Sequence, residues 1–167
     1  MRDLKERSKG KKEESEMGPG KKGLLVCEKC DAYYWKKGWH HNSAEFISRF
    51  ENRHIPMKKA LCPADMMIKN KMWEGEVVIE NVAAGDKVNL LNLIRNACQK
   101  DFDRDVLDRL VSLTEEKGNI VARTTENQMA QSLGRKIKET FKNRKPLVKI
   151  THEKEPSDLT EVRIRFT

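Results

Sequence analysis

The chain has 167 residues, room for one ordinary domain or two small ones. Charged residues make up 36% and hydrophobic residues 37%, so part of the chain stands outside any core. No apolar run approaches the roughly 18 residues of a membrane helix, the N-terminal stretch lacks the apolar core of a secretory signal, and the net charge of +8 favours anionic partners such as nucleic acid; a cytoplasmic protein with no membrane partner is expected.

Residues 1–22 read as a disordered basic arm, with eight Lys/Arg, five Asp/Glu and one isolated Leu4. Such a segment cannot bury enough apolar surface to offset its ordering entropy. Residues 23–75 read as a first folded domain holding three of the four cysteines, all three Trp and both Tyr. Leu24, Leu25 and Val26 run into Cys27-Glu-Lys-Cys30, aromatics follow at Tyr33, Tyr34, Trp35 and Trp39, and Ser43 can cap a helix through Asn52. Few aliphatics serve this length, so a staple is needed, and inside a cell a metal is a better one than disulfides.

The pair Cys27 and Cys30, two residues apart, lets both sulfurs reach one ion from a tight turn. Cys62-Pro-Ala-Asp65 is a second such knuckle with Asp65 where a fourth cysteine would stand. Two facing knuckles make a zinc ribbon, and a carboxylate oxygen can bind zinc at about 2.0–2.2 Å. One structural Zn²⁺ on Cys27, Cys30, Cys62 and Asp65 is therefore expected. His40, His41 and His54 are alternatives for the fourth position, and Cys98 reads as a buried thiol on a helix face.

Residues 76–167 read as a second domain. A strand over Glu76–Glu80 precedes a helix capped by Asp86 with Leu90, Ile94, Ala97 and Cys98 on its core face. A helix restart from Asp103 to Arg109 is expected, then two strands around Lys117-Gly118-Asn119. A helix after Thr125 carries the stripe Met129, Leu133, Ile137 and Phe141, and two strands close the domain, Leu147–His152 and Glu161–Phe166. The expected fold class is α+β: a small zinc ribbon followed by a split βαβ, ferredoxin-like domain with one extra strand.

Arg135, Lys136, Lys138, Lys142, Arg144 and Lys145 cluster on and after the last helix, with Arg135, Lys138 and Lys142 opposite its apolar stripe. A strip of this kind binds phosphates by displacing counterions. Lys36 and Lys37 add a second patch where cations adjoin aromatics that can stack on unpaired bases. No phosphate-cradling loop, dinucleotide fingerprint, nucleophile elbow or zinc-protease motif is present. These features point to non-catalytic RNA binding without a small-molecule substrate; a protein-interaction adaptor and a DNA-binding transcription-type zinc ribbon are the competing readings.

The CxxC knuckle, the aromatics, the Cys62-Pro-Ala-Asp65 knuckle and above all VARTTENQMAQSLGRKI from Val121 to Ile137 resemble the amino-terminal region of the large ribosomal subunit export-adaptor family, including its short archaeal relatives and zinc-ribbon-bearing bacterial look-alikes. The resemblance covers Leu24 to Thr167. It implies zinc ribbons, attachment to the large ribosomal subunit, and a role in ribosome maturation or transport. The chain departs from the family in its shorter cysteine array, with Asp65 replacing a cysteine, and in having no room for further domains.

Overall fold

The chain reverses at the cysteine pair that ends its first strand, and the fold of the N-terminal part follows from that reversal. The computed structural model describes residues 24–51, 56–153 and 158–167; the expected arm over 1–22 lies outside them, as do His54, Pro156 and Ser157. The described residues divide into two compact units that part between Cys62 and Pro63.

In the first unit, β1 (Leu24–Cys27) pairs antiparallel with β2 (Tyr33–Trp35), which pairs with β3 (Gly38–His40). Helix α1 (Ala44–Glu51) then crosses over to β4 (Met57–Ala60), parallel to β1 on its other edge. Ser43 caps α1 as its residue type suggests, its Oγ accepting the amide of Phe46 at 3.3 Å. Leu24 and Leu25 are buried, and Phe46 stacks on Tyr33. Aromatic area thus makes up for the scarcity of aliphatics.

The second unit opens with the short helix α2 (Pro63–Lys69), which the sequence reading assigns to the first domain, followed by β5 (Gly75–Glu80) and the long helix α3 (Ala84–Arg104). The hairpin β6 (Leu110–Glu116) and β7 (Asn119–Thr124), helix α4 (Asn127–Thr140), β8 (Leu147–His152) and β9 (Thr160–Arg165) complete it. The sheet order is β6-β7-β5-β9-β8. β6 lies parallel to β5 with β7 between them, the split βαβ of the expected α+β class. The extra strand is β9, and it adds in the interior: it pairs parallel with β5 and antiparallel with β8.

Alternation along the strands puts Val77 and Ile79, Ile120 and Ala122, and Val162 and Ile164 on one face. That face is covered by Leu90, Ile94 and Ala97 of α3 and by Met129, Leu133 and Ile137 of α4. Each fully buried Leu or Ile contributes about 1.5–3 kcal/mol. Helix α4 lies close on the sheet because Gly134 has no side chain; a Cβ there would meet Val162 Cγ1 at 2.6 Å. The opposite face carries charge: Arg123 pairs with Glu76 and Glu116, and Arg163 and Arg165 pair with Glu80.

Two local expectations are corrected. Asp86 is not the cap of α3; Ala83 is, without a side-chain bond, and Asp86 sits in the first turn and pairs with Arg144. A carboxylate there still meets the positive end of the helix dipole. No helix restarts at Asp103, because α3 runs through Arg104 and then stops at an extended Asp105, whose Oδ1 accepts the Leu107 amide at 2.9 Å. Such an Asx turn competes with helix for the same backbone donors.

Candidate metal centre

Cys27 ends β1, and the chain turns at once. The Asp31 amide donates to Cys27 O at 3.1 Å, and the Cys27 amide donates to Ala32 O. Closing so tight a loop requires a left-handed residue, and Asp31 supplies it with φ 58°. Asp tolerates that region better than most residues. β4 delivers Cys62 alongside: the Cys62 amide donates to Cys27 Sγ at 3.3 Å, and the Lys29 amide approaches the same sulfur at 3.5 Å. These are the outer hydrogen bonds that a metal-bound sulfur takes. Pro63 then starts α2 at a position where a missing N–H costs nothing, which places Asp65 in the first helical turn.

One ligand atom each from Cys27, Cys30, Cys62 and Asp65 lies within 4.8 Å of all the others. None of the three cysteines is in a disulfide. Cys30 Sγ and Cys62 Sγ stand 3.8 Å apart. Two sulfurs bound at about 2.3 Å to one tetrahedral ion lie about 3.8 Å from each other, so this pair already has the spacing of a zinc site. Cys27 and Cys62 are fully buried and Cys30 is partly exposed. The donor set, three sulfurs and one carboxylate oxygen, suits Zn²⁺.

None of the described histidines joins the cluster. His40 turns back on its own hairpin, its Nε2 3.1 Å from Trp35 O and its ring 5.4 Å from that of Tyr33. Cys98 is also elsewhere, on the core face of α3, where burial above all, with Asp101 adding to it, pushes its thiol up to about 12.

One residue near the cluster is not legible in the sequence. Arg109 Nη2 lies 3.7 Å from Asp65 Oδ1, and the Arg109 guanidinium lies over the Phe102 ring, 4.8 Å from its centre. Its backbone is fixed on both sides by Thr125: the Arg109 amide donates to Thr125 Oγ1 at 2.8 Å, and the Thr125 amide donates to Arg109 O at 3.0 Å. A buried carboxylate demands a cation, but spacing does not say which.

Among the basic residues, Arg135, Lys138 and Lys142 line one shallow depression together with Glu139. Lys136 and Lys145 are exposed nearby, whereas Arg144 is engaged with Asp86, Nε to Oδ2 at 2.8 Å. Lys36 and Lys37 form the exposed turn of the β2–β3 hairpin, next to the packed pair Tyr34 and Trp39. Among the described residues no helix is long and apolar enough to cross a membrane. The chain matches no protein-family model, and a search of curated proteins finds no relative.

Proposed function

We propose that this is a non-catalytic zinc-ribbon protein that binds RNA, with the large ribosomal subunit as its target and ribosome maturation or translation as its setting. The observation that carries the reading is the convergence of Arg135 and Lys138 on the solvent side of α4 with Lys142 in the turn just after it. The helix is anchored by Met129, Leu133 and Ile137 on the opposite side, so Arg135 and Lys138 stand on a rigid support. Fixed cations beside one acid neutralise phosphates without reading bases. The zinc on Cys27, Cys30, Cys62 and Asp65 is structural in this reading: it holds together a unit with little aliphatic core. The resemblance of Val121 to Ile137 to the export-adaptor family supports the ribosomal target.

The test is a salt titration of RNA binding. Replacing Arg135, Lys138 and Lys142 with Gln leaves the core untouched, so thermal stability stays close to wild type. RNA affinity falls for every sequence tried, and the slope of log K against log salt drops by about two to three, near one per lost phosphate contact. An unchanged slope removes this strip as the contact surface. Nuclease-sensitive capture of ribosomal RNA at low salt identifies the target, and a wild type with no RNA affinity refutes the reading in favour of a protein or DNA partner.

A further inference from the structure

Asp65 stands where a paired knuckle places a sulfur, and it is 8% exposed. A carboxylate that gives one oxygen to a metal keeps a second oxygen with lone pairs to satisfy, and burial makes leaving it bare expensive. Three thiolates and a carboxylate also bring four negative charges to a cation carrying two. Both needs call for a donor that is cationic, desolvated and already in place.

We propose that Arg109 positions Asp65 as the fourth metal ligand and offsets the excess negative charge of the site. This rests on the reading of the cluster as a zinc site. The Arg109 side chain is 23% exposed and faces a carboxylate that is 9% exposed, so the pair is largely withdrawn from solvent. Its Nη1 is buried and has no hydrogen-bond partner among the described residues. Among the described residues, the one ion pair of this half-withdrawn guanidinium is with Asp65. Phe102 holds its plane and Thr125 fixes its backbone, so its direction is set before any ion arrives. Lysine cannot substitute fully, because a single ammonium lacks the planar fork.

The test measures zinc affinity of the full chain by competition with a chromogenic chelator, with Co²⁺ absorption reporting the ligand set. Arg109→Gln weakens zinc by about 10–100-fold, the usual loss when an outer partner of a ligand is removed. Arg109→Lys loses less. In an Asp65→Cys background, where no carboxylate is left to position and only the charge offset remains, Arg109→Gln costs less than in the natural background. Two results overturn the proposal: unchanged or tighter binding by Arg109→Gln in the natural background, meaning that Asp65 serves Arg109 and not the metal, or an equal loss in the Asp65→Cys background, meaning that Arg109 acts through the fold. Should Arg109→Gln lose its far-ultraviolet dichroism, the same comparison is read from Arg109→Lys in both backgrounds. A wild type that takes up neither zinc nor cobalt refutes the zinc reading itself, a different outcome from wild-type uptake that ignores Arg109.

Discussion

Four cysteines in one chain meet two opposite environments, and their reactivity follows. Cys27, Cys30 and Cys62 sit among amide donors and one another, whereas Cys98 packs beside Leu90, Ile94 and Ala97 with its thiol pushed up to about 12. The thiolate is the nucleophile, so Cys98 presents far less of its reactive form than an ordinary thiol. Once chelation has loosened the buried cluster, iodoacetamide at about pH 8 is expected to modify Cys27, Cys30 and Cys62 first and Cys98 only in denaturant, as counted by mass spectrometry. Rapid modification of Cys98 under native conditions would show that α3 opens readily. The cysteine cluster is legible from spacing because a turn of fixed length makes the geometry. Arg109 is not, since its approach to Asp65 depends on tertiary packing that brings together residues far apart in the chain.

Two hairpins use the same kind of turn with different residues. Lys117-Gly118 closes β6 and β7 with φ of 51° and 81°, the second taken by glycine at no steric cost. Lys36-Lys37 closes β2 and β3 with φ of 47° and 70° and has no glycine at all. Non-glycine residues in this region cost about 1 kcal/mol or more each, and the two ammonium groups repel. Turn stability is thus given up for two adjacent cations beside Tyr34 and Trp39. The double variant Lys36→Asn, Lys37→Gly is expected to raise the melting temperature and at the same time weaken binding to single-stranded RNA several-fold, because stability and affinity are read from the same two positions with opposite sign. A variant that gains stability and keeps full affinity would remove these two lysines from the proposed RNA surface. At this scale the sequence is informative where periodicity is long, as in α4. It fails where one polar side chain diverts the backbone, as Asp105 does after α3.

The charged face of the larger sheet ties the molecule's stability to pH. Hydrogen bonds from Arg165 and Arg163 hold the Glu80 carboxyl below its ordinary 4.5, and those from Arg123 and Thr114 do the same for Glu116. A carboxylate lowered by folding stabilises fully above its unfolded value and loses that contribution as pH falls through its folded value. Glu126 runs the other way: burial first, then Glu74, Asp108 and Asp105, raise it, so its charged form opposes folding at neutral pH. Urea midpoints at pH 7 and pH 3 are expected to show Glu80→Gln destabilised at pH 7 with a flatter acid decline, and Glu126→Gln stabilised at pH 7 with the gain gone at pH 3. Parallel pH curves for wild type and both variants would detach these groups from stability. The class of this sheet is legible from alternation, but the place of β9 is not. Leu147–His152 and Thr160–Arg165 both alternate, and only the packed structure shows that Val162 and Ile164 go to the centre while Leu147 and Ile150 stay at the rim.

That placement of β9 has a consequence for how the chain is made. The ribosome delivers β5 long before its parallel neighbour: Glu80 meets Arg165 across 85 residues. When β8 has emerged, four of the five strands exist, yet β5 and β8 face a gap with their inner hydrogen-bonding edges open. Pairing across such a separation is slow, and unpaired edges invite other chains. The cluster at Cys27, Cys30, Cys62 and Asp65 is finished far earlier in synthesis, with every ligand contributed before β5 begins. The three cysteines and Asp65 have therefore all left the ribosome while the larger sheet still waits for its middle strand.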